Sequence, residues 1–103
     1  MRIHIVCGAG ASSTFVALRL RKSAGVRGLS VQVTVGSESD LAAVLPVIDV
    51  LLVAPHLESL FTRIQTQAEA AGVRSRLMPP TVFAARDGEE ALDLAVHAVG
   101  TGV

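Results

Sequence analysis

The sequence predicts an α/β fold: a single domain built on an open, four-stranded parallel sheet of order 2-1-3-4, with helices on both faces. Three observations lead there. Apolar runs of strand length alternate four times with stretches of helical period, the pattern of repeated strand–helix units. The second run alternates strictly, as a half-exposed edge strand does, whereas the third is almost continuously apolar, as a strand covered on both faces must be. The second strand therefore belongs at an edge and the third inside, beside the first, with the switch point between strands one and three.

Each element has its own signals. Ile3-His4-Ile5-Val6 is a short apolar run ending at Cys7 and reads as a buried strand. From Ser13 to Ala24, Val16, Ala17, Leu20 and Ala24 recur at helical spacing, and Gly25 is the expected stop. Leu29 to Val35 alternates as the second strand. A short helix follows Ser37-Glu38-Ser39-Asp40 and is expected to end near Pro46. Val47 to Val53, interrupted only by Asp49, is the third strand, and Pro55 stands at a favoured first helical position. Leu57, Leu60, Phe61, Ile64, Ala68 and Ala71 make the next helical stripe, closed by Gly72. Val73 to Met78 is the fourth strand, ended by Pro79-Pro80. Asp87-Gly88-Glu89-Glu90 opens a last helix expected to bury Leu92, Ala95, Val96 and Val99.

Composition narrows the function classes. With 103 residues, 50% of them hydrophobic and 17% charged, the chain suits one domain spanning 1–103, and neither repeats nor linkers divide it. Nine basic and nine acidic residues cancel, which argues against nucleic-acid binding through bulk positive charge. With no Trp or Tyr and three Phe, a stacking platform for bases is not expected either. Mean hydropathy is +0.55, yet the longest apolar stretch, Leu41 to Pro55, contains Asp49 and Pro46 and falls short of the roughly 20 residues of a spanning helix. A single cysteine excludes an internal disulfide, and the chain starts directly in a strand without a cleavage signal, so a cytoplasmic location is expected. The zero net charge is itself uneven. Residues 1–36 hold Arg2, Arg19, Arg21, Lys22 and Arg27 with no acid, five positive charges, and the remainder balances them with four Arg against nine acids.

The chemically informative segment is Cys7-Gly8-Ala9-Gly10-Ala11-Ser12-Ser13-Thr14. Sheets of this order bind ligands at the carboxyl ends of the strands flanking the switch point, here after Cys7 and at Ala54-Pro55-His56. Two glycines and two alanines leave the backbone uncluttered, so successive N–H groups can surround an anion. The following helix start adds free N–H groups and its positive end, and Ser12, Ser13 and Thr14 add hydroxyls. The same donors would favour a thiolate at Cys7. Read alone, a lone cysteine is as readily a small buried hydrophobe; its place at a strand end before Gly-x-Gly and three hydroxyls is what points to chemistry.

Other phosphate-binding patterns fail. Ser13 stands where a dinucleotide fingerprint has its third glycine, and no Gly-Lys-Ser/Thr occurs. Cysteine phosphatases of the Cys-x5-Arg kind need an arginine at that same Ser13, and no Asp-Pro element supplies their general acid. Without the guanidinium that stabilises a hydrolytic transition state, such a loop could hold a phosphocysteine yet release it slowly to water. A carrier is favoured over a phosphatase.

These residues resemble a known family. Ile-His-Ile-Val-Cys-Gly-Ala-Gly-Ala-Ser-Ser-Thr is similar to the active loop of enzyme IIB subunits of the bacterial phosphoenolpyruvate-dependent sugar phosphotransferase system (PTS), lactose/cellobiose class, which carry a strand-terminal Cys-Ser-Ala-Gly-Met-Ser-Thr-Ser. Ile48-Asp49-Val50-Leu51-Leu52-Val53-Ala54-Pro55-His56 resembles the family's Ala-Asp-Val-Val-Leu-Leu-Gly-Pro-Gln. The resemblance implies that Cys7 accepts a phosphoryl group from phosphohistidine of a IIA partner. Cys7 would pass it to a sugar in a membrane IIC partner, a β-glucoside or disaccharide such as cellobiose, chitobiose or lactose. It also implies a phosphate held by Gly8, Ala9, Gly10, Ala11, Ser12, Ser13 and Thr14, with no cofactor and no metal. Gly8 departs from the family's serine, and His56 from its glutamine, placing a titratable group beside the site. His56 reads as a solvated helix-start residue, as a contact to phosphate or to a partner, or, with no second His or Cys nearby in sequence to support it, as a metal ligand. His4 and His97 read as structural, and Arg19 with Lys22 either as a solvated face or as a dock for an acidic partner. Phe83 either lines the loop returning toward the site or packs in the core. Two alternatives stay open: a relative of low-molecular-weight cysteine phosphatases or arsenate reductases, and a non-catalytic anion-binding module of the same fold.

Overall fold

A computed structural model describes residues 1–7 and 11–100, and the backbone alone for Ala11 and Ser12. Four parallel strands, β1 (Arg2–Val6), β2 (Gln32–Gly36), β3 (Val50–Val53) and β4 (Arg74–Leu77), form one sheet of order β2-β1-β3-β4. This is the order expected from the burial patterns of strands two and three. Helices α1 (Ala11–Val26) and α5 (Glu89–Gly100) cover one face. Their core holds Ile3, Ile5, Leu20, Leu52 and Leu92, all at or below 1% exposure. The other face is covered by the helical segment 38–47 and by α3 (Phe61–Ala70), whose Ile64 packs in one cluster with Val6, Leu51 and Val53 of the sheet.

Several boundaries differ from the sequence expectation, each for a local reason. α1 starts at Ala11 rather than Ser13 and runs through Gly25 to Val26. Its real stop is Gly28, at φ +72°, which lets the Leu29 N–H reach the Ala24 carbonyl (2.8 Å) and the Gly28 N–H the Gly25 carbonyl (3.1 Å). The same device closes α3 at Gly72, φ +76°, as expected. Pro46 does not end the helical path. It occupies the start of a 3-10 turn, Leu45–Val47, that continues α2 (Leu41–Val44), so β3 begins only at Val50. Asp49, an oddity inside an apolar run, stands outside the strand: its carboxylate accepts the Arg2 N–H at 2.7 Å and clamps the entrance of β1. A short helix, α4 (Thr81–Ala84), was not foreseen after the two prolines. In α5 the buried residues are Ala91, Leu92, Ala95 and Ala98; Val99, expected inside, is 45% exposed because the alanines take the sheet side.

Candidate functional site

The carboxyl ends of the strands lie in a row. Beyond the last paired residues, the Cys7 N–H donates to the Gly36 carbonyl (3.0 Å), the Ala54 N–H to Val6 (3.0 Å) and the Met78 N–H to Val53 (2.8 Å). Cys7 therefore sits at the switch point, between the ends of β2 and β3, and α1 begins four residues later. Alternation along β1 directs it to the α1/α5 face, in the same core cluster as Ile5, Val16 and Ala54, and it is 3% exposed.

Of the residues expected to hold a phosphate, Gly8, Ala9 and Gly10 lie outside the described residues, as do the side chains of Ala11 and Ser12. Ser13 lies in the first turn of α1, 1% exposed, and its Oγ has no hydrogen-bond partner. A buried hydroxyl without a partner costs free energy and calls for an explanation. Thr14 is exposed. The α1 N-terminus brings its positive end, and a hydroxyl without a partner among the described residues, to the segment following the thiol.

Pro55 and His56 follow β3 directly, in a 3-10 turn Pro55–Leu60. The exposed His56 ring stacks on Phe83 of α4, with centroids 6.5 Å apart and planes at 29°. Phe83 also offers its carbonyl to Arg19 Nη1 of α1 at 3.5 Å. Phe83 therefore joins both of its sequence readings: it links the turn after β3 to the helix after β1, and it packs, partly buried, against the α1/α5 core.

The remaining histidine reading is sharpened by burial. His4 is 2% exposed and its Nδ1 lies 2.7 Å from Thr34 Oγ1 on β2, a structural pairing as expected. Burial pushes its pKa below the ordinary value, with Asp40 opposing in part. It borders a cavity of about 550 Å³ with Thr34, Asp40, Val44 and Ile48, on the sheet face opposite the one to which Cys7 points. Among the described residues no cluster of three metal-ligating side chains occurs, and no helix is long and apolar enough to cross a membrane. One residue the sequence reading passed over is Arg86, between α4 and α5, which shares a cleft with Arg19 and Lys22. Its sequence neighbourhood carries no motif, so only the fold could bring it there.

Comparison with known proteins agrees with this architecture. The lactose-specific IIB component domain of the phosphoenolpyruvate:carbohydrate phosphotransferase system from Streptococcus pneumoniae superposes with a TM-score of 0.84 at 16% identity, covering 95% of this chain and 96% of that one. The cellobiose-specific phosphotransferase IIB component from Borrelia burgdorferi gives 0.80 at 26% identity, covering 99% and 94%. No curated protein sequence matches. The family model for the lactose/cellobiose-specific IIB subunit of the PTS matches residues 2–94, and the chain belongs to that family.

Proposed function

We propose that this chain, a single domain over residues 1–103, is the phosphocysteine carrier of a sugar phosphotransferase system, acting in the cytoplasm between a IIA donor and a membrane IIC partner holding a β-glucoside or related disaccharide. The observation that carries the reading is the position of Cys7: the chain's one thiol stands at the switch point of the sheet, and a helix N-terminus follows within four residues. In the first step Sγ, as thiolate, attacks the phosphorus of a phosphohistidine. The S–P bond forms, the N–P bond breaks, and the proton given up by the Cys7 thiol goes to the departing imidazole. In the second step a sugar hydroxyl attacks the same phosphorus, the S–P bond breaks, and the hydroxyl's proton restores the Cys7 thiol. Both steps conserve the phosphoryl group and need neither metal nor cofactor from this chain.

The chain's own part is to hold charge. The backbone of Gly8 to Ser13 and the hydroxyls of Ser12, Ser13 and Thr14 would bind the phosphoryl oxygens, and the orphaned Ser13 Oγ supports this because a phosphate oxygen would satisfy it. No guanidinium stands at position 13 to drive hydrolysis. Pro55 and His56 would flank the same edge. The burial of Cys7 favours a second reading, an anion-binding module without transfer, since buried lone cysteines are ordinarily inert.

Transfer distinguishes them. Incubated with a phosphorylated lactose/cellobiose-class IIA, the protein should take up label and then lose it to sugar when IIC membranes and cellobiose are added. Uptake of label without any passage to sugar, across cellobiose, chitobiose and lactose, would contradict the relay. Perturbation of the loop amides by inorganic phosphate with no labelling would establish the anion-binding module, and steady turnover of an aryl phosphate or arsenate would move the protein to the phosphatase or reductase class.

A further inference from the structure

The charge asymmetry of the N-terminal third resolves once each cation is placed. Arg2 pairs with Asp49 at 3.6 Å, Arg27 with Glu89 and Asp93, and the Arg21 guanidinium donates to the Val33 carbonyl on the edge strand β2. Three of the five are thus occupied by the fold. Among the described residues Arg19 and Lys22 make no salt bridge, Arg19 donating only a long hydrogen bond of 3.5 Å to the Phe83 carbonyl, and Arg86, also without a salt bridge, joins them from a distant part of the chain. The three line one cleft of about 300 Å³ between α1 and the start of α5.

The same helix face is also apolar. At 100° per residue, Phe15, Leu18, Arg19, Lys22 and Val26 fall within a stripe about 100° wide, opposite the buried stripe of Ser13, Val16, Ala17, Leu20 and Ala24. Phe15 is 58% exposed, Leu18 52% and Val26 82%. A surface helix ordinarily turns one apolar face inward and a polar one outward. α1 is apolar on both, and the outer stripe starts in the turn that follows the Cys7 loop. Large exposed side chains beside cations that lack a carboxylate partner are the composition of an interface: apolar anchors with a charged rim.

We propose that this outer stripe of α1, with Arg86, is the docking surface for the phosphoryl-donating protein, whose matching face carries an apolar patch edged by carboxylates. The inference rests on the reading of Cys7 as phosphoryl acceptor, because that reading requires a protein donor to approach this end of α1. A protein is favoured over an anionic lipid surface because Asp87 and Glu89 line the cleft among the cations, an arrangement that suits discrete opposite charges and opposes a uniformly negative sheet. Arg19 is held by the Phe83 carbonyl, which also ties the stripe to His56 at the strand ends.

Two exposed-surface variants test it without threatening the core: Phe15→Ser with Leu18→Ser, and Lys22→Glu with Arg86→Glu. Two readouts are taken with a lactose/cellobiose-class IIA: amide shifts of this protein on adding unphosphorylated IIA, and the rate of Cys7 labelling by phosphorylated IIA. The wild type should shift along α1 and at Arg86. The apolar variant should weaken binding about tenfold or more, as loss of central anchors does. The charge-reversed variant should slow labelling about tenfold at low salt, and the gap should close at high salt, where screening removes the attraction. Variants that bind and label like the wild type would overturn the docking surface and leave the phosphocysteine reading standing. Binding through α1 without labelling would do the reverse, and absence of both would overturn both. Retention of the wild type on phosphatidylserine vesicles, lost in these variants while IIA leaves α1 unshifted, would refute the protein partner.

Discussion

Gly88 is where α5 meets α1, and replacing it by alanine should cost more than any single apolar truncation at the surface. A Cβ built there lies 2.3 Å from Leu20 N and 2.4 Å from Arg19 C and Leu20 Cα, all main-chain atoms, where ordinary contact begins at 3.4 Å. Backbone cannot rotate away as a side chain does, so the two helices must part by about 1 Å, an overpacking that costs roughly 1–3 kcal/mol. Parting also strains the buried hydrogen bond from the Gly88 N–H to Ser23 Oγ, 3.0 Å long, and orphaning a buried donor costs about 1–3 kcal/mol. Against this, alanine restricts the unfolded chain and returns about 0.4–1 kcal/mol. The net loss is about 1–6 kcal/mol, centred near 3, a large share of the roughly 5–15 kcal/mol of a domain. Thermal unfolding followed by circular dichroism should fall by roughly 10–25 °C at this chain length. Gly25→Ala is the internal control: it stands in the last turn of α1, one residue before its end, with nothing within 4 Å of its Cβ position, and should stabilise by at most about 0.5–1 kcal/mol. A Gly88→Ala protein within about 0.5 kcal/mol of wild type would refute the close helix contact.

Other expectations follow from burial and charge. Leu52, 0% exposed in the middle of β3, should lose about 2–5 kcal/mol on substitution by alanine, read by urea unfolding; a loss below about 1 kcal/mol would mean that α1 and α5 do not cover this face of the strand. His4 gives a pH dependence. Buried, it holds its pKa below the ordinary 6.5, so the unfolded chain takes up a proton first as pH falls, and stability declines from about pH 6.5 downward. Unfolding free energy should therefore be lower at pH 5 than at pH 7.5, and His4→Gln should flatten that difference; an unchanged slope would contradict it. Asp49 acts in a separate window: the Arg2 N–H and guanidinium hold its carboxyl below its ordinary 3.8, so its contribution is present above that value and fades only in stronger acid. Asp49→Asn should thus change stability at neutral pH while leaving the pH 5 to 7.5 slope intact.

The sheet order was legible because strand burial leaves a direct mark on the residues: Gln32 to Gly36 alternates at an edge, and Val50 to Val53 is apolar on both sides. Helix ends were legible only where one glycine competed. Gly72 was read correctly, whereas Gly25 was mistaken for the stop that Gly28 provides, because a helix can absorb a glycine and only the following backbone geometry decides. α4 and Phe83 were the hardest. Four helical residues after two prolines have no period to detect, and the stack on His56 joins segments 27 residues apart (83 minus 56). The pairing of cations was invisible for the same reason, since Arg27 meets Glu89 and Asp93 only through the α1–α5 packing. The position of Cys7 at a strand end followed from the sequence alone, because an apolar run stopping at Cys-Gly-x-Gly marks both the strand and the turn.

That position is also where the account is most exposed. After incubation with phosphorylated IIA, the protein should be digested under neutral conditions and its peptides weighed. One phosphoryl group per chain is expected, carried on Cys7, and none in a Cys7→Ser protein that unfolds like the wild type. A phosphoryl group found on a histidine or serine instead, or undiminished uptake by Cys7→Ser, would contradict it.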